Sequence, residues 1–210
     1  MTDKGRPESL RVPLGQLHCV PGDVPANLTR IEAIARGAAA EGAQLLVLPE
    51  TATTGYFIAD KLATLAEPED GPTALRLAAL ARQCALHLAI GMPVVADGRF
   101  YDAQLLFGPQ GTRLATYCKA HLFSAERHWY CAGDTPAVVD TATGRIGMTV
   151  CYDLMFPDYV RRLGELCADL VINSTNWIAD RWQREIWAGR VPPCRASPRR
   201  GRWRTGCGLP

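Results

Sequence analysis

Apolar and polar positions change their period several times along the 210 residues, and each change marks an element. Leu10, Val12, Leu14, Gln16 and His18 alternate with other residues and predict a first strand, closed by a Pro-Gly-Asp turn at 21–23. Leu28, Ile31, Ile34, Ala35 and Ala38 recur at helical spacing, and Gly42 stops that helix. The short run "AQLLVLP" is apolar throughout, as in a strand covered on both faces, and a polar, Thr-rich loop follows from Glu50 to about Asp60. Pro72 sits where a second helix begins, with Leu75, Leu77, Ala78, Leu80 and Ala81 as its apolar surface. Strand patterns then return in "HLAIGMPVVA", "FYDAQLLFGP" and "RLATYC", with Asp97-Gly98 and Pro109-Gln110-Gly111 as hairpin turns. Beyond a long polar loop at 119–135, "AVVDTATGRIGMTVC" predicts a strand pair around Thr143-Gly144. Pro157 starts a helix running through Arg161, Leu163, Leu166 and Cys167, and "ADLVINSTNW" is one more strand entering a loop. Hairpins set among alternating helices and strands predict a mixed, layered α/β fold rather than a purely parallel series.

Composition narrows the class. A 48% apolar chain of this length fills one sizeable core, so one domain is expected. Residues 1–9 are polar with no apolar stretch behind them, and no apolar run approaches the ~18 residues of a membrane span. A soluble, cytoplasmic protein with no membrane partner is therefore expected, its eight cysteines free thiols. Without secretion, the sequons at Asn27 and Asn173 carry no glycan. Charge is uneven: residues 1–188 hold 17 Lys plus Arg against 21 Asp plus Glu, whereas 189–210 hold six Arg and no acid. With neither a Walker-type loop nor a G-x-S-x-G elbow, nucleotide and serine-hydrolase chemistries have no anchor.

Three residues stand apart from others of their type. Glu50 follows "LLVLP", Lys119 follows "LATYC" and Cys151 follows "GMTV", so each lies directly behind an apolar strand. In layered α/β folds, strand ends converge on one edge, where reactive groups gather. The set is chemically coherent. A thiol is a poor nucleophile at neutral pH until a base takes its proton or a cation steadies the thiolate. Glu50 in a dry pocket suits the base, and Lys119 suits the thiolate and the oxyanion formed when a carbonyl or nitrile carbon is attacked. The backbone N–H of Tyr152 would be a second oxyanion donor, worth ~3 to 4 kcal/mol in such sites.

The ordered motifs "LLVLPETATTGY", "YCKAHLF" and "GMTVCYDLMFPD" resemble those of the carbon-nitrogen hydrolase (nitrilase) superfamily, a likeness extending from about Leu10 to Trp177. The resemblance implies an αββα sandwich with two mixed sheets and a Glu-Lys-Cys triad: Glu50 as general base, Lys119 as oxyanion stabiliser, Cys151 as nucleophile. Glu126, in "KAHLFSAER", matches a second family glutamate that helps place the lysine and the substrate; a surface ion pair with Arg127 is its alternative. It further implies a thioester mechanism that needs no metal or organic cofactor, a small-molecule amide or nitrile substrate, and a homo-oligomer. Cys151-Tyr152-Asp153, where nitrile hydrolases carry Trp-Glu behind the cysteine, resembles the amidase and omega-amidase branches, so an amide is the expected substrate. Tyr56, Phe123, Tyr152 and Trp177 are candidate pocket walls.

Two features invite other readings. Cys118-x2-His121 and His128-x2-Cys131 have a zinc-like spacing, but the first pair straddles Lys119 and the intervening residues already belong to the hydrolase motif. Residues 189–210, with four prolines, four glycines and six arginines, admit no periodic element. Relatives continue here with further strands and helices. The expectation is thus a partial hydrolase domain at 1–188, incomplete at its C-terminus, with an aberrant disordered tail from a truncated or frameshifted gene. On that reading the tail is not a nucleic-acid arm.

Overall fold

The computed structural model describes residues 9–177. Its elements are α1 (Val24–Ala40), β1 (Leu45–Val47), α2 (Leu62–Leu65), α3 (Pro72–Cys84), β2 (His87–Ala96), β3 (Arg99–Phe107), β4 (Arg113–Cys118), β5 (Val138–Thr141), β6 (Gly144–Val150), α4 (Pro157–Glu165) and β7 (Leu170–Ser174). They build two mixed sheets, ordered β1-β2-β3-β4 and β5-β6-β7. Of the pairs between these strands, β1–β2 and β6–β7 are parallel and the others antiparallel.

Strand alternation sorts side chains into layers. From the first sheet, Leu46, Leu48, Leu88, Ile90 and Leu105 face α1 and α3, meeting Leu28, Ile31, Leu77 and Leu80. The opposite face supplies Leu45, Val47, Ala89, Leu106 and Tyr117, which pack against Ile146, Met148, Val150 and Ile172 of the second sheet. On the outer side of that sheet lies α4, close enough that a Cβ at Gly147 would meet Leu163 at 3.4 Å. The layer order is therefore helices, sheet, sheet, helix: the αββα sandwich with two mixed sheets is borne out.

Several elements follow from local chemistry. Asp23 caps α1 by accepting the Ala26 N–H, Pro25 lies in its first turn, and Gly42 leaves it at φ +76°. Asp97 and Gly98, both at positive φ, close the β2–β3 hairpin as a primed turn. Asn27 is fully buried, its amide bonded to the Val20 and Thr53 carbonyls, so the first sequon belongs to the core.

Other expectations are corrected. The first strand is absent; Leu14 makes a single bridge to Val47, and Arg11–Gly15 run beside β1 with irregular hydrogen bonds. Pro13 lacks an N–H and breaks the ladder, and beyond it the inward face shifts to Gly15, Leu17 and Cys19, leaving Leu14 76% exposed. Leu75 of α3 likewise faces outward. The last helix ends at Glu165, where Cys167 turns at φ +60°. Among the described residues, no helix is long and apolar enough to cross a membrane. The 188/189 boundary and the arginine-rich tail lie outside the described residues.

Candidate active site

Glu50 reaches the site by a backbone crossing. Past β1, Leu48 and Pro49 keep pairing with β2, through Leu48 N–H to Ala89 O at 2.8 Å and Gly91 N–H to Pro49 O at 3.0 Å. The chain then passes over Gly91 so closely that a Cβ there would lie 2.5 Å from both Glu50 Cα and Thr51 N. A glycine in the middle of β2 is what permits this approach. Thr51, at φ +48°, turns the chain away.

Lys119 immediately follows β4, its N–H extending the β3 ladder to Asp102 O at 2.8 Å. Its ammonium is fully buried: Nζ lies 2.5 Å from Glu50 Oε1, 2.9 and 2.8 Å from the two Glu126 oxygens, and 3.4 Å from Asp102 Oδ2. Burial opposes the lysine's charge, but Asp102, Glu50 and Glu126 together outweigh it and push its pKa up, so it stays an ammonium. Glu50 is completed by the Asn176 N–H, 3.0 Å from Oε2. Glu126 also accepts from Tyr56 Oη at 2.5 Å and from Phe123 N–H at 2.7 Å. It is buried, and Arg127 turns instead to the Ser124 carbonyl, so the surface ion pair does not form.

Cys151 stands at the end of β6 with φ +42°, a left-handed conformation that costs a β-carbon residue about 1 kcal/mol or more and is concentrated at functional turns. Burial first, and then the Glu50 charge, push its thiol pKa up to about 12; the Thr175 hydroxyl and Lys119 act in the opposite direction but are outweighed. This corrects one expectation. Lys119 is taken up by carboxylates, and the resting cysteine is a thiol facing a carboxylate rather than a thiolate beside an ammonium.

Asp153, two residues further on, ties these strand ends together. Fully buried, it accepts hydrogen bonds from Val150 N–H at 2.9 Å, Tyr117 Oη at 2.8 Å and His121 N–H at 2.9 Å, with His121 Nδ1 also 2.8 Å away. His121 stacks on Phe156, with ring centroids 3.7 Å apart. It is thus committed elsewhere than to a metal; His128 is exposed, and among the described residues the Cys118, His121, His128 and Cys131 set forms no ligand cluster. Carboxylate oxygens of Glu50, Asp102 and Glu126 do lie within 4.8 Å of one another, but the Lys119 ammonium bridges all three.

Of the aromatic candidates, Tyr56 is brought to Glu126, while Phe123 and Tyr152 meet edge to face at 5.1 Å. Burial and neighbouring carboxylates hold Tyr56 protonated, as a donor to Glu126. Trp177 is 51% exposed. Sequence reasoning missed Asp102, Asp153 and Gly91. Their signals were an acid inside the apolar run "FYDAQLLF", an acid two places behind the cysteine, and a glycine inside a strand.

A carboxylate touching a buried ammonium, with a thiol on a strained strand end, is thus gathered on an αββα sandwich. The chain belongs to the carbon-nitrogen hydrolase family, whose model matches residues 11–189. It is 38% identical over 172 residues to a hydrolase in the pqqF 5' region of Pseudomonas protegens, covering 80% of this chain and 60% of that one. It is 37% identical over 164 residues to an (R)-stereoselective amidase of Pseudomonas sp., covering 78% and 59%. With the omega-amidase of Homo sapiens the identity is 31% over 156 residues, covering 70% and 56%. Among solved structures, the chain is similar to an amidase of Nesterenkonia sp. with a TM-score of 0.76 and 28% identity, covering 82% of this chain and 66% of that one. Forms of that amidase hold butyramide, or acrylamide added at its active-site cysteine. The chain spans about 60% of the length of the first curated relatives it matches.

Proposed function

We propose that this chain carries the chemistry of a cysteine-dependent amidohydrolase acting on a small linear amide. The observation that supports the reading best is the convergence of Glu50, Lys119 and Glu126, all buried, beside the strained Cys151. Cys151 Sγ attacks the amide carbon while its proton passes to Glu50; the thiol is hard to ionise alone, so proton removal and attack belong to one step. Lys119, with the Tyr152 N–H, faces the oxygen on which negative charge develops. Glu50 returns the proton to the departing nitrogen, leaving ammonia and a thioester. Water, deprotonated by the same Glu50, then cleaves the thioester to release the carboxylate and restore the thiol. Tyr56 fixes Glu126, and Glu126 fixes Lys119, so that the ammonium holds its place as charge moves.

An amide is favoured over a nitrile by the Cys151-Tyr152-Asp153 sequence and by the amidase relatives. A Pyrococcus abyssi nitrilase, 29% identical, keeps the nitrile within the assay panel. The test is ammonia release from short amides, the corresponding nitriles and an N-carbamoyl compound, with Cys151→Ala as reference. Loss of all release in the variant is expected. Release that survives the substitution would sink the proposal, and release from nitriles alone would move the substrate class. An inert native chain whose Cys151 reacts with iodoacetamide no faster than its other thiols would instead mark a scaffold without catalysis.

A further inference from the structure

Three acids and one base share the closed space around Lys119, and their charges do not balance. Glu50 and Glu126 each touch the ammonium at 2.9 Å or less, whereas Asp102 stands off at 3.4 Å. Asp102 is 1% exposed and lies in the middle of the first sheet on β3. Around it are Glu50, Lys119, Glu126, the Tyr130 phenol and the Cys118 thiol, and none of these brings a second positive charge. Its Oδ1 is buried and receives a hydrogen bond from no donor. An ionised carboxylate so placed would be a desolvated charge whose one cation, 3.4 Å away, is already held more closely by two other carboxylates, a costlier state than a neutral acid. A protonated Asp102 resolves both problems. It lowers the cluster's net charge from two negative to one, and it supplies a donor beside Glu50, which has a carboxylate oxygen within 4.8 Å of one of Asp102.

Resting on the reading of Glu50 as the general base, we propose that Asp102 is a positioning residue that works as a neutral carboxylic acid, its proton shared with Glu50, holding that carboxylate against Lys119. Asp102 touches neither the nucleophile nor the reacting carbon. It fixes the orientation of the base and keeps the cluster at a single net negative charge, leaving Glu50 free to take the Cys151 proton. An ionised Asp102 would compete with Glu50 for the one ammonium.

The experiment uses the full chain in two arms. Infrared difference spectroscopy of the native protein against Asp102→Asn, at neutral pH, reads the protonated-carboxyl C=O band directly. The band is expected in the native protein and lost in the variant. Its absence from the native protein, or its survival in Asp102→Asn, overturns the proposal. In the second arm, Asp102→Ala is expected to lower kcat by about 10- to 100-fold at little cost in KM, as for a lost hydrogen bond to a charged group. Asp102→Asn, whose amide N–H can still donate to Glu50, is expected to recover most of that loss. Equal loss in both variants overturns the proposal, since it would mean that the carboxylate charge is what matters. A native chain that hydrolyses no amide defeats the assigned activity instead, and the infrared arm still decides where the proton resides.

Discussion

Gly91→Ala tests how Glu50, the proposed base, is placed. The added methyl would sit 2.5 Å from Glu50 Cα and Thr51 N and 2.7 Å from Pro49 O, all backbone atoms that no rotamer change can move aside. Restoring an ordinary 3.4 Å contact requires the crossing segment to retreat by about 0.9 Å. Glu50 moves with it, out of a 2.5 Å contact with Lys119 and a 3.0 Å bond from Asn176 N–H. A displacement of ~1 Å in a catalytic group costs about 100-fold in rate, and forcing a methyl into a filled core costs about 1–3 kcal/mol. Steady-state ammonia release should therefore fall ~100-fold in kcat/KM, with urea unfolding showing the loss of stability. Gly37→Ala is the control: it lies inside α1, a Cβ there meets nothing within 4 Å, and helix propensity predicts a gain of about 0.5–1 kcal/mol. A Gly91→Ala enzyme that is as active and as stable as the native one would refute the crossing argument. One that is destabilised but fully active would refute the claim that the crossing sets the base.

Two further outcomes follow from the buried acids. Asp153→Ala strands the Val150 N–H and the Tyr117 hydroxyl in the core and takes the acceptor from the half-buried His121 N–H; each buried orphan costs ~1–3 kcal/mol, so urea unfolding should show a loss of about 2 kcal/mol or more, with activity falling as both strand ends loosen. Asp102 has a folded pKa raised by burial first and by the Glu50 charge next, so the stability it contributes is complete below the ordinary Asp value of ~3.9 and declines as pH rises towards the raised value. Unfolding of the native chain against Asp102→Asn, followed upward from about pH 4, should show the native advantage shrinking by up to ~1.4 kcal/mol per pH unit; an advantage that grows with pH would contradict the assignment.

What the sequence reveals here is what local pattern controls. The α1 period, the Asp97-Gly98 hairpin and the three strands ending near Glu50, Lys119 and Cys151 are all readable because each is decided within a few residues. Pro13 defeats the alternation rule at the first strand, since one missing N–H redirects the residues behind it. Asp102 and Asp153 stayed invisible for another reason: their roles exist only once β3, β4 and β6 meet. Acids with partners 17 residues away, as for Asp102, or 36, as for Asp153, have no periodic signature. The thiol's state was likewise not legible, because it depends on which neighbour occupies Lys119.

The bond from Asn176 N–H to Glu50 Oε2 spans 126 residues, as does that from Ser174 Oγ to the Leu48 carbonyl. Closing so long a loop costs chain entropy before any contact rewards it. During synthesis, Glu50 leaves the ribosome long before the backbone that completes it. The nascent chain thus carries its acid, its lysine and its thiol as separate, chemically ordinary side chains. On the proposed mechanism, the base is complete for Cys151 only once β7 is paired beside β6 and brings the Asn176 N–H to Glu50.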